Sequence, residues 1–224
     1  MIALEPLSST RRPAVAGSFY PRGARELADT VEGLLSKATK IEESGLVGIV
    51  VPHAGYMFSG PVAASAFAAL ASSERAFERV LLIGPAHYVP VFGIAASSAR
   101  SFTTPLGEIV IDTDQVAALL DAGLIDIDDR AHAPEHALEV ELPFLQQALG
   151  RFTLIPLLVG EASPDEVAAI IALVLDKRTL LVVSTDLSHY LDYVSAQTRD
   201  LASAKFIERV DFLRLGPKNA SGFA

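Results

Sequence analysis

The chain has 224 residues, with 18 Lys and Arg against 27 Asp and Glu, a formal net charge of −9. Half of it is hydrophobic and a fifth is charged, which is enough for one substantial core and rules out intrinsic disorder. The acidic balance argues against a broad grip on nucleic acid or anionic lipid, and the absence of cysteine excludes disulfides, thiolate nucleophiles and zinc–sulfur sites. No signal-peptide pattern opens the sequence and no apolar run approaches the roughly 18 residues of a membrane span. A cytoplasmic chain is expected.

In chain order, residues 24–38 repeat apolar positions at three and four, as an amphipathic helix does. Gly45 to Val51 is a short apolar run rich in β-branched residues, the pattern of a buried strand. Pro61–Ala71 is Ala-rich with proline first, which predicts a helix starting there. Arg79–Ile83 is a second buried strand, Val91–Ala95 a third, and Glu108–Ile111 an edge strand. A helix capped by Asp112 or Thr113 comes next and stops near Gly123. Leu138, Leu142, Leu145 and Leu149 form one stripe, which predicts a helix over Glu135–Leu149 kinked at Pro143. Phe152–Val159 is a strand in which Pro156 implies an edge or a bulge. Ser163-Pro164-Asp165-Glu166 opens a helix, Thr179–Ser184 is a buried strand, and Tyr193–Arg209 is helical. The alternation predicts a single-domain, layered α/β fold with a central, mostly parallel sheet flanked by helices.

Three apolar strands run straight into histidine-bearing loops: GIVVPHAGY brings His53, RVLLIGPAHY brings His87, and LLVVSTDLSHY brings Asp186 and His189. Ligands of open parallel sheets bind outside the carboxyl ends of the strands, where such loops converge. A fourth loop, DDRAHAPEH, carries His132, Glu135 and His136. Each residue alone has an ordinary explanation: a surface histidine, Asp186 as a turn cap, Glu135 as a first-turn acid beside a helix dipole. Their joint position favours a site for His53, His87 and His189, whereas His132 reads as ordinary. Two imidazoles and one anionic group suit a divalent ion such as iron, zinc or copper. His189 then serves as acid or base and Asp186 fixes a histidine tautomer. The His136-x-x-Glu139 pair completes no zinc-protease motif, and no G-x-S-x-G, P-loop or G-x-G-x-x-G stands after a strand.

The segments RRPAVAGSFYP, VPHAGYMFSGPVAASAF, LIGPAHYVP, TPLGEIVID, EHALEVELPFLQ, IPLLVG and STDLSHY, in this order, resemble the Memo family. Its prokaryotic members are called AmmeMemoRadiSam system protein B. The resemblance spans nearly all of residues 11–224 and implies a fold similar to class III extradiol dioxygenases, with a metal pocket made by His53, His87, Asp186 and His189. The family's third metal ligand is a cysteine in an Ala-Cys-Gly stretch, with a closing helix after it. Here Ser221 stands at that position in LGPKNASGFA and the chain stops three residues later; a hydroxyl is a much poorer ligand than a thiolate.

The resemblance thus implies one Memo-like domain over 1–224 lacking the closing helix, with His53, His87 and Ser221 as metal ligands and His189 and Asp186 as catalytic groups; the residue reading of the fourth loop adds His136 to the catalytic set. The implied cofactor is a divalent metal, Fe(II) first, with zinc or copper as alternatives. The implied activity is oxygen-dependent redox chemistry alongside a radical S-adenosylmethionine (radical SAM) protein and an AMMECR1-like partner. Two other readings compete: a non-catalytic module that binds a peptide or small molecule in the same pocket, and a metal-assisted hydrolase.

Overall fold

A computed structural model describes residues 9–39, 45–73 and 75–214; Ser221 lies outside the described residues. The elements are β1 (Thr10–Arg11), α1 (Ala24–Lys37), β2 (Gly48–Val51), α2 (Tyr56–Ala71), β3 (Arg79–Pro85) and β4 (Ile94–Ala96). They continue with β5 (Ser101–Thr104), β6 (Gly107–Ile111), α3 (Thr113–Asp121), β7 (Asp126–Ile127) and α4 (Asp129–His132). The last are α5 (Leu142–Leu149), β8 (Thr153–Val159), α6 (Pro164–Val174), β9 (Thr179–Ser184) and α7 (Tyr193–Glu208).

One sheet runs in the order β1-β5-β6-β8-β3-β9-β2, with β4 beside β8 and β7. Every pair from β6 to β2 is parallel, and among the described residues only β5–β6 and β4–β8 are antiparallel. The arrangement is the α/β layering read from the sequence. The apolar runs at β3 and β8 are buried almost end to end, as strands covered on both faces must be. Leu27 and Val31 of α1 and Phe67 of α2 are fully buried, and Phe67 stacks on Phe144 of α5 at 4.9 Å between ring centroids. This packing seats α1, α2 and α5 on one another.

Several boundaries differ from the sequence reading, each for a physical reason. The α2 helix begins at Tyr56, so Pro61 lies inside it rather than at its start. Residues 135–136 are irregular and 137–138 form a turn, succeeded by a 3-10 segment, Glu139–Glu141, and only then by α5. Pro143 therefore stands in the first turn of α5, where its missing N–H costs nothing and no kink arises. The strand β6 lies inside the sheet between β5 and β8, not at an edge. β8 is also internal: residues 155–157 pair with β3 but lie between the points where β6 and β4 join its other side. A proline at 156 is tolerated along that single-neighbour stretch. The third strand begins at Ile94 rather than Val91. Asp112 caps α3 through Gln115 N, and Ser163 with Glu166 forms a full capping box on α6.

The order β3-β9-β2 matters most for function. It brings the carboxyl ends of three parallel strands side by side, so the loops carrying His87, Asp186 and His53 leave the sheet as neighbours.

Candidate metal centre

The loop after β2 is tied to the loop after β9: His53 N–H donates to Asp186 Oδ1 at 2.8 Å, and Thr185 N–H to Val51 O at 2.8 Å. The loop after β3 is tied to the 133–138 turn, because His87 N–H donates to Glu135 Oε2 at 2.6 Å. Ser184, at the end of β9, reaches the same turn at Ala137 O, 2.7 Å away. Four loops are thus joined by polar links that cross between them, which gathers separate strand exits around one hollow.

Three imidazoles face one another in it. The His53 and His87 ring centroids are 5.1 Å apart, those of His53 and His136 5.6 Å, and those of His87 and His136 4.6 Å. One ring nitrogen from each can be chosen so that all three lie within 4.8 Å of one another. Nitrogens bonded to one ion at about 2.0–2.1 Å are separated by less than twice that length, so modest closure brings them into place.

The backing of each ring decides which nitrogen is offered. Glu135 Oε1 receives His87 Nδ1 at 2.9 Å as well as His136 N–H at 2.8 Å and Ala137 N–H at 2.9 Å. Glu135 is nearly inaccessible, 2% exposed. Burial opposes its ionisation, but the hydrogen bonds from the His87 ring and from the Ala137 and His87 backbone prevail and hold its carboxyl at about 2. An anionic acceptor at Nδ1 leaves His87 Nε2 for a ligand. His53, 1% exposed, has Nδ1 at 2.9 Å from Ser184 Oγ. Its Nε2 is buried without a hydrogen bond, 3.9 Å from Asp186 Oδ2. His136 Nδ1 is likewise buried without a hydrogen bond, 3.2 Å from Glu135 Oε1.

Buried polar nitrogens left unmatched cost about 1–3 kcal/mol each. Two of them in one cluster of three imidazoles call for an explanation, and a bound ligand supplies one. Burial lowers the His53 pKa to about 4, the Asp186 carboxylate opposing and the His87 and His136 rings adding to the effect. Burial also lowers that of His136. Both rings are neutral at physiological pH, the form that ligates metals. An all-nitrogen donor set with carboxylate and hydroxyl backing fits iron, zinc or copper, and does not fit magnesium or calcium.

The hollow gathers His53, His87 and His136, with Asp186 and Glu135 against them. His189 stands apart from that group: its ring is exposed, with Nδ1 2.9 Å from Leu187 O. His132 is buried, 2% exposed, with Nε2 on Ala95 O at 3.0 Å, a structural role. Sequence reasoning passed over Ser184 and Glu141, which stand in line behind His53. The available signal was the pair of acids in EVELPFL, where Glu139 and Glu141 interrupt an apolar run. Glu139 is fully buried, where it binds Arg11 Nη1 at 2.7 Å, Ala14 N–H at 2.7 Å, Val15 N–H at 3.0 Å and the Tyr20 hydroxyl at 2.6 Å. It pins the N-terminal segment beneath the site.

A family model described as Memo-like protein matches residues 11–215. A MEMO1 family protein of Methanopyrus kandleri is 38% identical over 91% of this chain and 76% of its own length. One from Ignicoccus hospitalis is 33% identical over 90% of this chain and 76% of its own. One from Thermotoga neapolitana is 33% identical over 90% and 78%.

Proposed function

The chain belongs to the Memo family, and from that premise we propose that it is a divalent-metal protein whose His53, His87 and His136 hold the ion. The observation that carries this reading is the buried, unmatched Nε2 of His53 in a cluster of three imidazoles. When bound, such an ion supplies Lewis acidity, and if it is iron, redox chemistry toward dioxygen. Three neutral ligands leave coordination positions open and leave the ion's charge uncancelled, in keeping with a dioxygenase-like activity rather than a closed structural site.

The chain's own groups then divide the work. Glu135 orients His87, and the loop link from His53 N–H holds Asp186 beside the cluster. Asp186 Oδ2, on a carboxylate about a quarter exposed, is placed to take a proton from a substrate hydroxyl. His189, exposed on the same loop, is the second group able to hold a proton there. Family resemblance supports a role beside a radical SAM protein and an AMMECR1-like partner, and co-purification from cells expressing all three tests it.

The metal reading is tested by elemental analysis of untagged protein. Wild type is expected to carry about one ion per chain and the His53→Ala/His87→Ala variant to carry none. Equal content in the two ends the proposal. With iron loaded, oxygen uptake on a panel of catechols that Asp186→Asn abolishes is the corresponding result for dioxygenase chemistry; no uptake on any of them counts against it.

A further inference from the structure

Ser184 Oγ has three polar neighbours: Ala137 O at 2.7 Å, Glu141 Oε1 at 2.9 Å and His53 Nδ1 at 2.9 Å. A serine hydroxyl has one proton to give and two lone pairs to receive. A peptide carbonyl only accepts, and the Ala137 carbonyl makes the shortest of the three contacts, so it takes the hydroxyl proton. Both remaining neighbours must then donate. Were Glu141 ionised, it and the Ala137 carbonyl would compete for one proton and a buried acceptor would be left without a donor.

The surroundings agree. Glu141 is 1% exposed, on the 3-10 segment beneath the site. Burial raises its pKa well above the ordinary carboxylate range; the Ser184 hydrogen bond opposes this and the Asp186 charge adds to it. Tyr56, the other titratable group against it, gives its hydroxyl proton to Val140 O at 2.7 Å and so offers Glu141 no compensation.

We propose that Glu141 is a neutral carboxylic acid that donates its proton to Ser184 Oγ, forcing Ser184 to receive His53 Nδ1–H and locking His53 with Nε2 toward the imidazole cluster. Glu141 and Ser184 are positioning residues, acting on the site through His53. The inference rests on the metal reading for its purpose, though not for its proton count. It also separates the two backings: His87 is keyed by an anion, Glu135, and His53 by a neutral acid. The hollow therefore acquires one supporting negative charge from these two carboxyls instead of two.

The test uses the full chain, metal-free, labelled with ¹⁵N. Long-range proton–nitrogen correlation is expected to show His53 as the Nδ1–H tautomer. The infrared spectrum at neutral pH is expected to show a protonated-carboxyl band that Glu141→Gln removes. Zinc affinity is then read by competition with a chromophoric chelator. Glu141→Leu and Ser184→Ala are expected to weaken it about 10- to 100-fold, while Glu141→Gln, whose amide N–H donates in place of the acid, restores it to within about threefold.

An Nε2–H tautomer in the wild type overturns the proposal, as does a Glu141→Gln variant that folds normally yet loses as much affinity as Ser184→Ala. If the variants do not fold, the wild-type tautomer and the presence or absence of the carboxyl band decide alone. The expected tautomer and band in a protein that takes up no zinc support this inference and overturn the metal reading.

Discussion

Glu135→Gln is the sharpest perturbation of the site, because one carboxylate there receives four donors: His87 N–H on Oε2, and His87 Nδ1, His136 N–H and Ala137 N–H on Oε1. Glutamine accepts with a single oxygen. In its better orientation the amide oxygen keeps the Oε1 partners, and its NH₂ then confronts His87 N–H, donor against donor. One stranded buried N–H costs about 1–3 kcal/mol, and the three surviving bonds lose their charge assistance.

The carboxyl's own titration gives a second estimate. It is held at about 2 against an ordinary 4.5, and at about 1.4 kcal/mol per unit that is about 3 kcal/mol in favour of the ionised form in the folded chain. Because the folded value is depressed, this contribution is complete above about 4.5 and fades as pH falls toward 2. The two estimates agree. Urea unfolding of the metal-free variant at neutral pH is expected to show a loss of about 3 kcal/mol, and zinc competition a 10- to 100-fold weaker site, about what a lost supporting group costs. Unchanged unfolding midpoint and zinc affinity would refute the claim that this carboxylate builds the His87 side of the cluster.

The same structure predicts three other outcomes. Glu139→Ala leaves Arg11 buried without its partner and removes four hydrogen bonds; chemical denaturation is expected to register a loss of about 3–5 kcal/mol. His132, whose pKa burial depresses from 6.5 to about 4 against the opposing Ala95 carbonyl, binds its proton more readily in the unfolded chain. Stability is therefore full above about 6.5 and falls as pH drops toward 4, by about 3 kcal/mol at most. The pH dependence of His132→Phe unfolding is expected to be flatter over that window. Gly160→Ala would drive a methyl into the Val91 carbonyl, and the variant is expected to show a markedly lower melting temperature or no soluble protein.

Much of the layering was legible because buried parallel strands are nearly continuous apolar runs. RVLLI is buried nearly end to end, and TLLVVS and GIVV are apolar runs of the same kind, although β2 ends the strand order and leaves Val50 exposed. The strand β5, SFTT, has no such run, and it exists because β6 and β1 pair with it on either side. Glu135–Leu149 keeps a helical leucine period, yet only its second half is α-helix. The first half is held as a turn by the Glu135 carboxylate gathering backbone donors from His87, His136 and Ala137, tertiary bonds that no local pattern encodes.

The site divides in the same way. That His53, His87 and Asp186 would leave the sheet together could be read from their place after β-strands. That His136 would join them, and His189 lie exposed, depended on the path of two loops. Glu141 and Ser184 carried no signature beyond an acid and a hydroxyl in apolar company.

X-ray absorption at the zinc edge of the loaded, untagged protein bears most directly on whether the three imidazoles form a metal centre. One tightly held ion per chain with an imidazole-rich first shell at about 2.0–2.1 Å, lost in the His53→Ala/His87→Ala variant, is the expected result. A spectrum of an ion ringed by water or carboxylate oxygens, or one identical in wild type and variant, would contradict it.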